Sequence, residues 1–484
     1  MTKELRRLSK TSPQSTAPAG ALPARQGFKY VRLLGTLFKQ LHAVGTERDR
    51  AGNRQLFYDQ YATWLLLYFF NPTVTSLRGL QQMTTLSAVQ RRWGVRRTSL
   101  GSLSEAAQVF DAALLQDVLS ELALRAWTRG AQAQGDEELL RDLIAVDGSL
   151  LPALPRMVWA VWQDPQHRAA KLHVAFAALR QVPVGMTVTA GTGSERAELR
   201  RLVQPGGFYV FDRGYVDYSL FGDLHALPCS FVARVQERAA YEVQHEQPLS
   251  AAALAAGVQS DCWIRRLSTE HHQPLLPTPW RVVRVATDRT HADGTPVVLG
   301  LVTNRLDLDA DLLALAYRYR WAVALFFRWL KCVLGCRHLL SQSPNGVQLQ
   351  VYGALIASLL ISLWVGRAPT KRTYEMLCFY LSGWASTGEV IAHIDRLQLK
   401  APQAKNEPNT IGWWATRGPS TCAPSGWSRR SPAPAAPTGH GWKTPGCSSS
   451  KCSGMPTTLA CTLSRPATAA RPWAISRRRS PTWP

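Results

Sequence analysis

The chain has 484 residues, of which 46% are hydrophobic, so it has apolar surface for at least one large core and room for two or three domains. Its 56 Lys and Arg outnumber its 33 Asp and Glu, which gives a formal charge of +23. These values exclude a chain that is disordered over most of its length. The positive charge is typical of a protein that binds a polyanion such as nucleic acid, although membrane-surface and ribosomal proteins share it.

The first 140 residues divide into a leader and a helical region. Residues 1–27 are rich in Pro, Ser and Ala, and we expect them to be disordered. Residues 28–140 place apolar side chains at helical spacing and predict a small all-α domain. The basic run at 90–97 (QRRWGVRR) either contacts phosphate groups or forms a solvated charged face, which is the commoner meaning of such a run.

From residue 141 the pattern changes to short strands separated by turns. Three strands, a helix and a fourth strand open an α/β domain that we assign to residues 141–400. We interpret the polar, His- and Pro-bearing segment at about 237–279 as an insertion. The predicted strands lie at 143–151, 171–179, 182–190, 208–214, 230–236, 280–287 and 297–304.

Two helices are predicted after the last strand. The first extends from Asp309 to Leu334, with acidic residues in its first turn. The second contains the longest apolar run, residues 351–366, which is shorter than the roughly 20 residues that a membrane-spanning helix needs. We therefore predict a buried core helix and no association with a membrane.

Residues 403–484 have a different composition from the rest of the chain. They hold 12 of the 30 Pro, and their eleven Lys and Arg against one Glu contribute +10 of the net charge. Few apolar side chains are present, so we expect disorder. Six Trp and four Cys are unusual in a disordered segment, and they favour the hypothesis of a frameshift near residue 403. A basic tail that binds nucleic acid is the alternative.

Nine Cys occur without paired C-x-x-C spacing or Cys/His ligand spacing, and no apolar signal segment follows Met1. We therefore expect a protein of the reducing cytoplasm without structural zinc.

Two aspartates follow apolar strand residues. Asp147 lies in LIAVDGS, where the strand is expected to end and the chain to turn, and Asp212 has a similar position in FYVFDRGY. If their strands are neighbours in one sheet, the two carboxylates converge and offer oxygen ligands to Mg²⁺. For either Asp alone, a role in a turn beside Gly is at least as common.

The long helix supplies a third group of polar residues. Positions three or four apart fall on one helix face, which either contacts a phosphate backbone or is the solvated side of the helix. The residues on that face are Tyr317, Arg320, Ala324, Arg328 and Lys331.

These motifs together resemble the DDE transposases of insertion sequence family four. The resemblance covers roughly residues 60–400 and rests on DGS at 147–149, KLH at 171–173, YVFDRGYVDYSLF at 209–221 and FVAR at 231–234. It continues in the family signature of Tyr, two residues, Arg, three residues, Glu, six residues and Lys. Tyr317, Arg320 and Lys331 match that signature, but Ala324 occupies the position of the glutamate.

The resemblance implies a ribonuclease-H-like mixed sheet with flanking helices, and a site of three acids that holds two Mg²⁺ ions. Asp147 and Asp212 are the implied metal ligands and catalytic residues, while Tyr317, Arg320, Arg328 and Lys331 are the implied DNA contacts. The alanine at position 324 offers no ligand atom, and no Asp or Glu occurs between Asp311 and Glu375 to replace the missing acid on the same helix. We therefore expect impaired catalysis.

The implied reaction is hydrolysis at the ends of an insertion sequence followed by strand transfer into target DNA. The implied partners are double-stranded DNA, with residues 28–140 recognising terminal inverted repeats, and a second copy of the chain that pairs the two ends. The expected location is the bacterial cytoplasm, at the nucleoid. A remnant that binds DNA ends without cutting is the alternative function, and a membrane-associated structural protein is the weakest one.

Overall fold

The computed structural model describes residues 27–44, 52–127, 135–164, 167–216, 218–236, 239–268, 275–366 and 368–399. Nearly all of the predicted leader and the whole of the predicted tail lie outside these residues, and both assignments stay predictions. The chain divides into two compact units, Met1–Lys405 and Asn406–Pro484. All the elements below belong to the first unit.

The described residues before the sheet are helical, as the sequence predicts. Serine side chains begin two of the helices: Ser76 accepts a hydrogen bond from the backbone N–H of Gly79, and Ser99 accepts one from that of Ser102. The limits of this region as a separate domain stay a prediction. The helices are α1 (Gly27–His42), α2 (Tyr58–Phe69), α3 (Leu77–Thr84), α4 (Ser87–Trp93), α5 (Leu100–Val109) and α6 (Ala113–Trp127).

Within the described ranges, nine strands form one mixed sheet with three helices among them. The strands are β1 (Leu143–Pro152), β2 (Ala169–Ala177), β3 (Val182–Ala190), β4 (Phe208–Phe211), β5 (Ser230–Arg234), β6 (Ala240–Glu246), β7 (Val258–Ser268), β8 (Leu275–Thr290) and β9 (Pro296–Thr303). The helices are α7 (Glu195–Leu202), α8 (Tyr218–Ala226) and α9 (Ala251–Ala255).

The strand order is β3-β2-β1-β4-β5-β9-β8-β7-β6. Strands β1 to β3 form an antiparallel meander, whereas β4 and β5 add to β1 in parallel. This arrangement of the first five strands, with helices α7 and α8 as the parallel crossovers, confirms the predicted α/β fold with a mixed sheet. The remaining four strands extend the sheet with antiparallel pairs.

The segment at 237–279, interpreted as an insertion, contains β6, β7 and the start of β8. The sequence analysis predicted no strands there. The reason is visible in β6, where every residue is exposed or only half-buried, so no alternation of apolar and polar side chains marks the strand.

Between the sheet and residue 399, the described residues form five α-helices and one π-helical turn. Helical structure covers the range predicted for the helix at 309–334, but it is interrupted at Arg320 and ends in the π-helical turn. The elements are α10 (Ala310–Tyr319), α11 (Trp321–Arg328), the π-helical turn (Trp329–Val333), α12 (Pro344–Val365), α13 (Lys371–Leu381) and α14 (Thr387–Leu399).

Helix α12 is the central helix of the molecule. It is long and apolar enough to cross a membrane, but most of it is buried inside the protein, as predicted for a core helix. It packs against α2, α5, α6 and β3. A Cβ atom on Gly353 would lie 3.2 Å from the ring of Phe69, so the glycine allows α2 to approach closely. The N-terminal helices and the sheet therefore share one hydrophobic core.

Candidate active site

Asp147 on β1 and Asp212 directly after β4 occupy neighbouring positions, because these two strands are adjacent and parallel. The ladder between the strands ends with Val146 opposite Phe211, and the next residue in each segment is one of the two acids. Both carboxylates therefore lie at the carboxyl edge of β4. The predicted metal site depends on this adjacency.

Strand β1 does not end at Asp147. It continues to Pro152, and Gly148 pairs with His173 of β2 instead of beginning a turn. The expectation of a strand end was wrong because only the ladder with β4 stops there. The antiparallel ladder with β2 accompanies β1 to its last residue, so the side chain of Asp147 projects from a continuous strand.

Each carboxylate has one oxygen held by the backbone. The N–H of Gly148 donates to Oδ1 of Asp147 at 2.8 Å, and the N–H of Arg213 donates to Oδ1 of Asp212 at 2.8 Å. The other oxygen of each acid, Oδ2, faces the side chain of Arg320. The two Oδ2 atoms are therefore the ones best placed to bind an incoming cation.

The guanidinium group of Arg320 lies between the two acids. Its Nη1 is 3.9 Å from Oδ2 of Asp147, and its Nη2 is 3.8 Å from Oδ2 of Asp212. These distances are ionic contacts but exceed normal hydrogen bonds. The residue is 8% exposed, and its Nε has no hydrogen-bond partner among the described residues. The guanidinium also lies 4.7 Å from the ring centroid of Trp321, which limits its movement.

Tyr317 contacts the same site from one helical turn earlier. Its hydroxyl donates a hydrogen bond of 3.1 Å to Oδ1 of Asp212. Burial raises the pKa of Tyr317 above its ordinary value, so the phenol stays protonated and remains a donor. Two residues of the sequence signature, Tyr317 and Arg320, thus reach the aspartates.

The environments of the two acids differ. Burial raises the pKa of Asp147, and the nearby carboxylates of Glu195 and Asp212 raise it further. The Gly148 N–H and Arg320 lower this pKa, but the net effect is an increase. Burial alone would raise the pKa of Asp212, but Arg320, the Arg213 N–H and the Tyr317 hydroxyl hold it below its ordinary value. Asp212 is therefore the more firmly ionised of the pair.

The other three residues of the predicted helix face differ in their exposure and contacts. Lys331, in the π-helical turn, is half-buried; burial lowers its pKa, and the charge of Asp147 partly offsets this effect. Arg328 is exposed to solvent. Ala324 lies on α11, which packs against β1 and β2 partly through the stacked rings of Phe326 and Phe176, 4.5 Å apart.

Four polar residues that the sequence analysis assigned no role lie around Gly148, the residue after Asp147. A Cβ atom on Gly148 would lie 3.0 Å from Cε of Lys171, 3.4 Å from Nδ1 of His173 and 3.4 Å from the hydroxyl of Tyr215. The fourth residue, Glu195, forms an ion pair of 2.7 Å with Lys171. The KLH motif contained a signal for two of them, since Lys171 and His173 project from the same face of β2.

The two aspartates fit one divalent cation by the chemistry of their oxygen atoms. Within the described ranges, no group of three His, Cys, Asp or Glu side chains is arranged as a ready metal site. The methyl group of Ala324 supplies no ligand.

Residues 138–360 match the family model described as "Transposase DDE domain". These residues form a transposase DDE domain. The match begins before β1 and ends within α12, so the DDE domain includes Asp147, Asp212 and position 324. It confirms the resemblance to DDE transposases on which the sequence analysis relied.

Two curated proteins are similar to part of this chain. One, from Sinorhizobium fredii and named as transposase y4zB, is 27% identical over 220 residues, covering 45% of this chain and 59% of that protein. The other, from Geobacillus stearothermophilus and named as the transposase for insertion sequence element IS5377, is 27% identical over 233 residues, covering 46% and 56%. The similarity therefore spans less than two thirds of either relative.

A solved structure of the piggyBac transposase synaptic complex with hairpin DNA overlaps 80% of this chain and 83% of that chain. The TM-score is 0.38 and the sequence identity is 10%, and these values are too low to show a shared fold or function.

Proposed function

We propose that this protein is the transposase of an insertion sequence, which binds the ends of the element and cuts and joins DNA with divalent metal ions, Mg²⁺ in the cell. The observation that carries the proposal is the pair of acids at the edge of β1 and β4 within a transposase DDE domain. Asp147 and Asp212 are the proposed catalytic residues and metal ligands. Phosphodiester hydrolysis at the ends and strand transfer into target DNA are the reactions that such a site serves.

A divalent cation bound there supplies positive charge that activates a water or 3′-hydroxyl and stabilises the leaving oxygen. The residues of the chain contribute orientation. The Gly148 and Arg213 N–H groups hold one oxygen of each acid, and the Tyr317 hydroxyl fixes the rotamer of Asp212.

Arg320 is the proposed phosphate contact nearest to the acids. It is permanently charged, and its planar group is suited to phosphate oxygens. Its contacts of 3.8 and 3.9 Å with the two acids are too long for hydrogen bonds, so these N–H groups remain able to donate to a phosphate. Lys331 and the exposed Arg328 extend positive charge along the same helix toward the DNA backbone.

The partners follow from the reaction. We assign the helical region at 28–140 to the terminal inverted repeats, and a second copy of the chain to the opposite end of the element. Arg91, Arg96 and Arg97 are exposed near the start of α5, which agrees with a DNA-facing surface. The mostly buried α12 agrees with a protein of the cytoplasm and nucleoid.

Ala324 weakens the proposed activity. The family signature has a glutamate at this position, and its loss removes one of three acids that share the metal ions. Two functions therefore compete: slow cutting, and occupation of DNA ends without cutting, which the methyl side chain at 324 favours.

The deciding test is cleavage of duplex DNA carrying the element's own terminal repeats, with Mg²⁺ or Mn²⁺, for the wild-type chain, Ala324→Glu and Ala324→Glu/Asp147→Asn. We expect the glutamate to raise cleavage at least roughly 100-fold, equivalent to about 2.7 kcal/mol of transition-state stabilisation, and the Asn change to abolish it. End binding by all three variants without cleavage by any would leave only the non-cutting function. No binding of the repeats would contradict both.

A further inference from the structure

Arg234 is the last residue of β5 and stands at the same edge of the sheet as the two aspartates. Strand β5 is the parallel neighbour of β4, and their ladder ends with Phe211 opposite Ala233. Asp212 and Arg234 are therefore the next residues in the two segments. Because the ladder between β1 and β4 also ends one residue before Asp147, the three charged residues form one row across β1, β4 and β5.

The side chains of this row project from one face of the sheet. Side chains alternate between the two faces along a strand, so each member shares its face with the residue two positions earlier. Those residues, all buried in the core that also contains residues of α10 and α11, are Ala145, Val210 and Val232. Leu301 of β9, which pairs with Arg234, belongs to the same core. The row therefore lies on the side of the sheet that carries Tyr317 and Arg320.

The charge of Arg234 acts on two groups of the candidate active site. Burial raises the pKa of Asp212, but Arg320 and, to a smaller extent, Arg234 help to hold it below its ordinary value. Burial also raises the pKa of Tyr317, and the charge of Arg234 again acts in the opposite direction. Arg234 is half-buried. Its guanidinium is therefore close to the site, on the far side of Asp212 from Asp147.

The spacing of the row suits a chain of anions. Neighbouring strands lie roughly 4.8 Å apart, so the strand order places the backbone of Arg234 about 5 Å from that of Asp212 and about 10 Å from that of Asp147. A cation held by the aspartates thus has a second positive group one strand away. A DNA strand carries a negative phosphate on every nucleotide, so a strand that reaches the cation has another phosphate nearby.

The charges of the row also favour an anionic ligand when the metal is bound. A divalent cation carries the two positive charges that balance the two aspartates. The aspartates then no longer balance Arg234 and Arg320, and phosphate oxygens are the acceptors that a guanidinium group binds best.

We propose that Arg234 binds a DNA phosphate next to the one that the two aspartates hold through the metal ion, and so fixes the position of the reacting strand along the edge of β1, β4 and β5. This inference rests on the proposed function. It adds a DNA contact from the sheet to the contacts proposed for the long helix, and it gives the arginine of the FVAR motif a role.

The ordinary alternative is that Arg234 only balances the charge of Asp212. In that role its loss changes the stability of the chain and the ionisation of Asp212. It does not change which phosphates of the DNA the protein depends on.

The experiment measures binding of the full chain to a duplex that carries the element's terminal repeat and ends at the element boundary, so that no bond remains to be cut. Fluorescence anisotropy with Mg²⁺ at several salt concentrations compares the wild-type chain, Arg234→Met and Arg234→Lys. Arg305→Met is the matched control. Arg305 is also half-buried, but its guanidinium carbon lies 5.1 Å from the ring centroid of Phe208, at the other end of β4.

We expect Arg234→Met to weaken binding roughly 10-fold and to reduce the salt slope by about 1, because one phosphate contact is lost. Arg234→Lys should keep the slope, and Arg305→Met should change neither quantity. Urea denaturation checks the folding of each variant. If Arg234→Met does not fold, Arg234→Gln, which keeps a polar side chain at this half-buried position, takes its place in the comparison.

A second series replaces single phosphates near the DNA end with neutral methylphosphonates. At one position we expect the wild-type chain to lose affinity and Arg234→Met to lose little more, since both changes remove the same contact.

Equal affinities of Arg234→Met and Arg305→Met would overturn the role of Arg234. Additive losses at every methylphosphonate position would do so too, and would leave Arg234 only as a counter-charge of Asp212. Failure of the wild-type chain to bind the duplex would instead contradict the proposed function.

Discussion

Two of the buried residues in the described part of the chain are arginines that face carboxylates, and the geometry of the two groups differs. Arg281 on β8 lies against Asp261 on β7, with Nε 2.7 Å from Oδ1 and a second bond between Nη2 and Oδ2, while Nη1 donates to the carbonyl oxygen of Leu308. Arg320 has no comparable bond. Its nitrogens remain 3.8 and 3.9 Å from the acids at the β1/β4 edge.

This difference separates a structural ion pair from a site prepared for a ligand. Arg281 and Asp261 are 6% and 4% exposed, and their hydrogen bonds are completed inside the protein. The acids near Arg320 each keep one oxygen without a short bond to the guanidinium, and Arg320 keeps an Nε without a partner among the described residues. The group around Arg320 therefore offers a ligand atoms whose hydrogen bonds are not yet completed.

The largest expected effect concerns the ion pair of Arg281 and Asp261. Arg281→Met leaves the Asp261 carboxylate buried without its partner, so we expect the free energy of unfolding to fall by about 3 to 5 kcal/mol, measured by urea denaturation. Mn²⁺ binding at the aspartates should stay unchanged. The double variant Arg281→Met/Asp261→Leu should recover most of the stability, because it removes the unpaired charge. A double variant as unstable as the single one would contradict this explanation.

The second largest effect is the pH dependence of stability that His173 contributes. His173 lies on β2 beside Gly148. Burial lowers the pKa of His173 to about 4, with a further contribution from the charge of Lys171. Because the folded state favours neutral imidazole, its contribution to stability is complete above the unfolded pKa of about 6.5 and is lost as pH falls toward 4.

The stability of the wild-type chain should therefore fall between pH 7 and pH 5 by about 2 kcal/mol more than that of His173→Gln. Parallel urea denaturation series of the two proteins measure the difference. Identical pH dependence would mean that His173 is protonated in the folded state.

The smallest effect is expected at Arg320. In Arg320→Met we expect the unfolding free energy to change by about 1 kcal/mol or less, because its long contacts contribute little, while Mn²⁺ affinity rises several-fold as the competing cation is removed. Affinity for end DNA should fall at the same time. A loss of stability as large as that of Arg281→Met would remove the distinction between the two arginines.

The sequence predicted the strands around the site because buried strands carry continuous apolar runs. LIAVDGS and FYVFDRGY each place an Asp after such a run, so both candidate ligands were evident before the fold was known. The surroundings of Gly148 were not evident. Glu195 lies in a short polar helix, SERAELRRL, where an acidic residue after a Ser cap has an ordinary meaning. Only the crossover from β3 to β4 brings that helix beside Lys171.

The sequence by itself determined the composition of the core, the strands from β1 to β5, the two aspartates and the alanine in the signature of the long helix. Each of these is encoded by residues close together in the chain, through periodicity or a local motif. The tertiary structure alone decided that β1 and β4 pair in parallel, that Arg320 stands between the acids, and that Lys171 and Tyr215 lie against Gly148. Those contacts join residues from separate strands and helices, and the packing of one sheet determines which distant side chains meet.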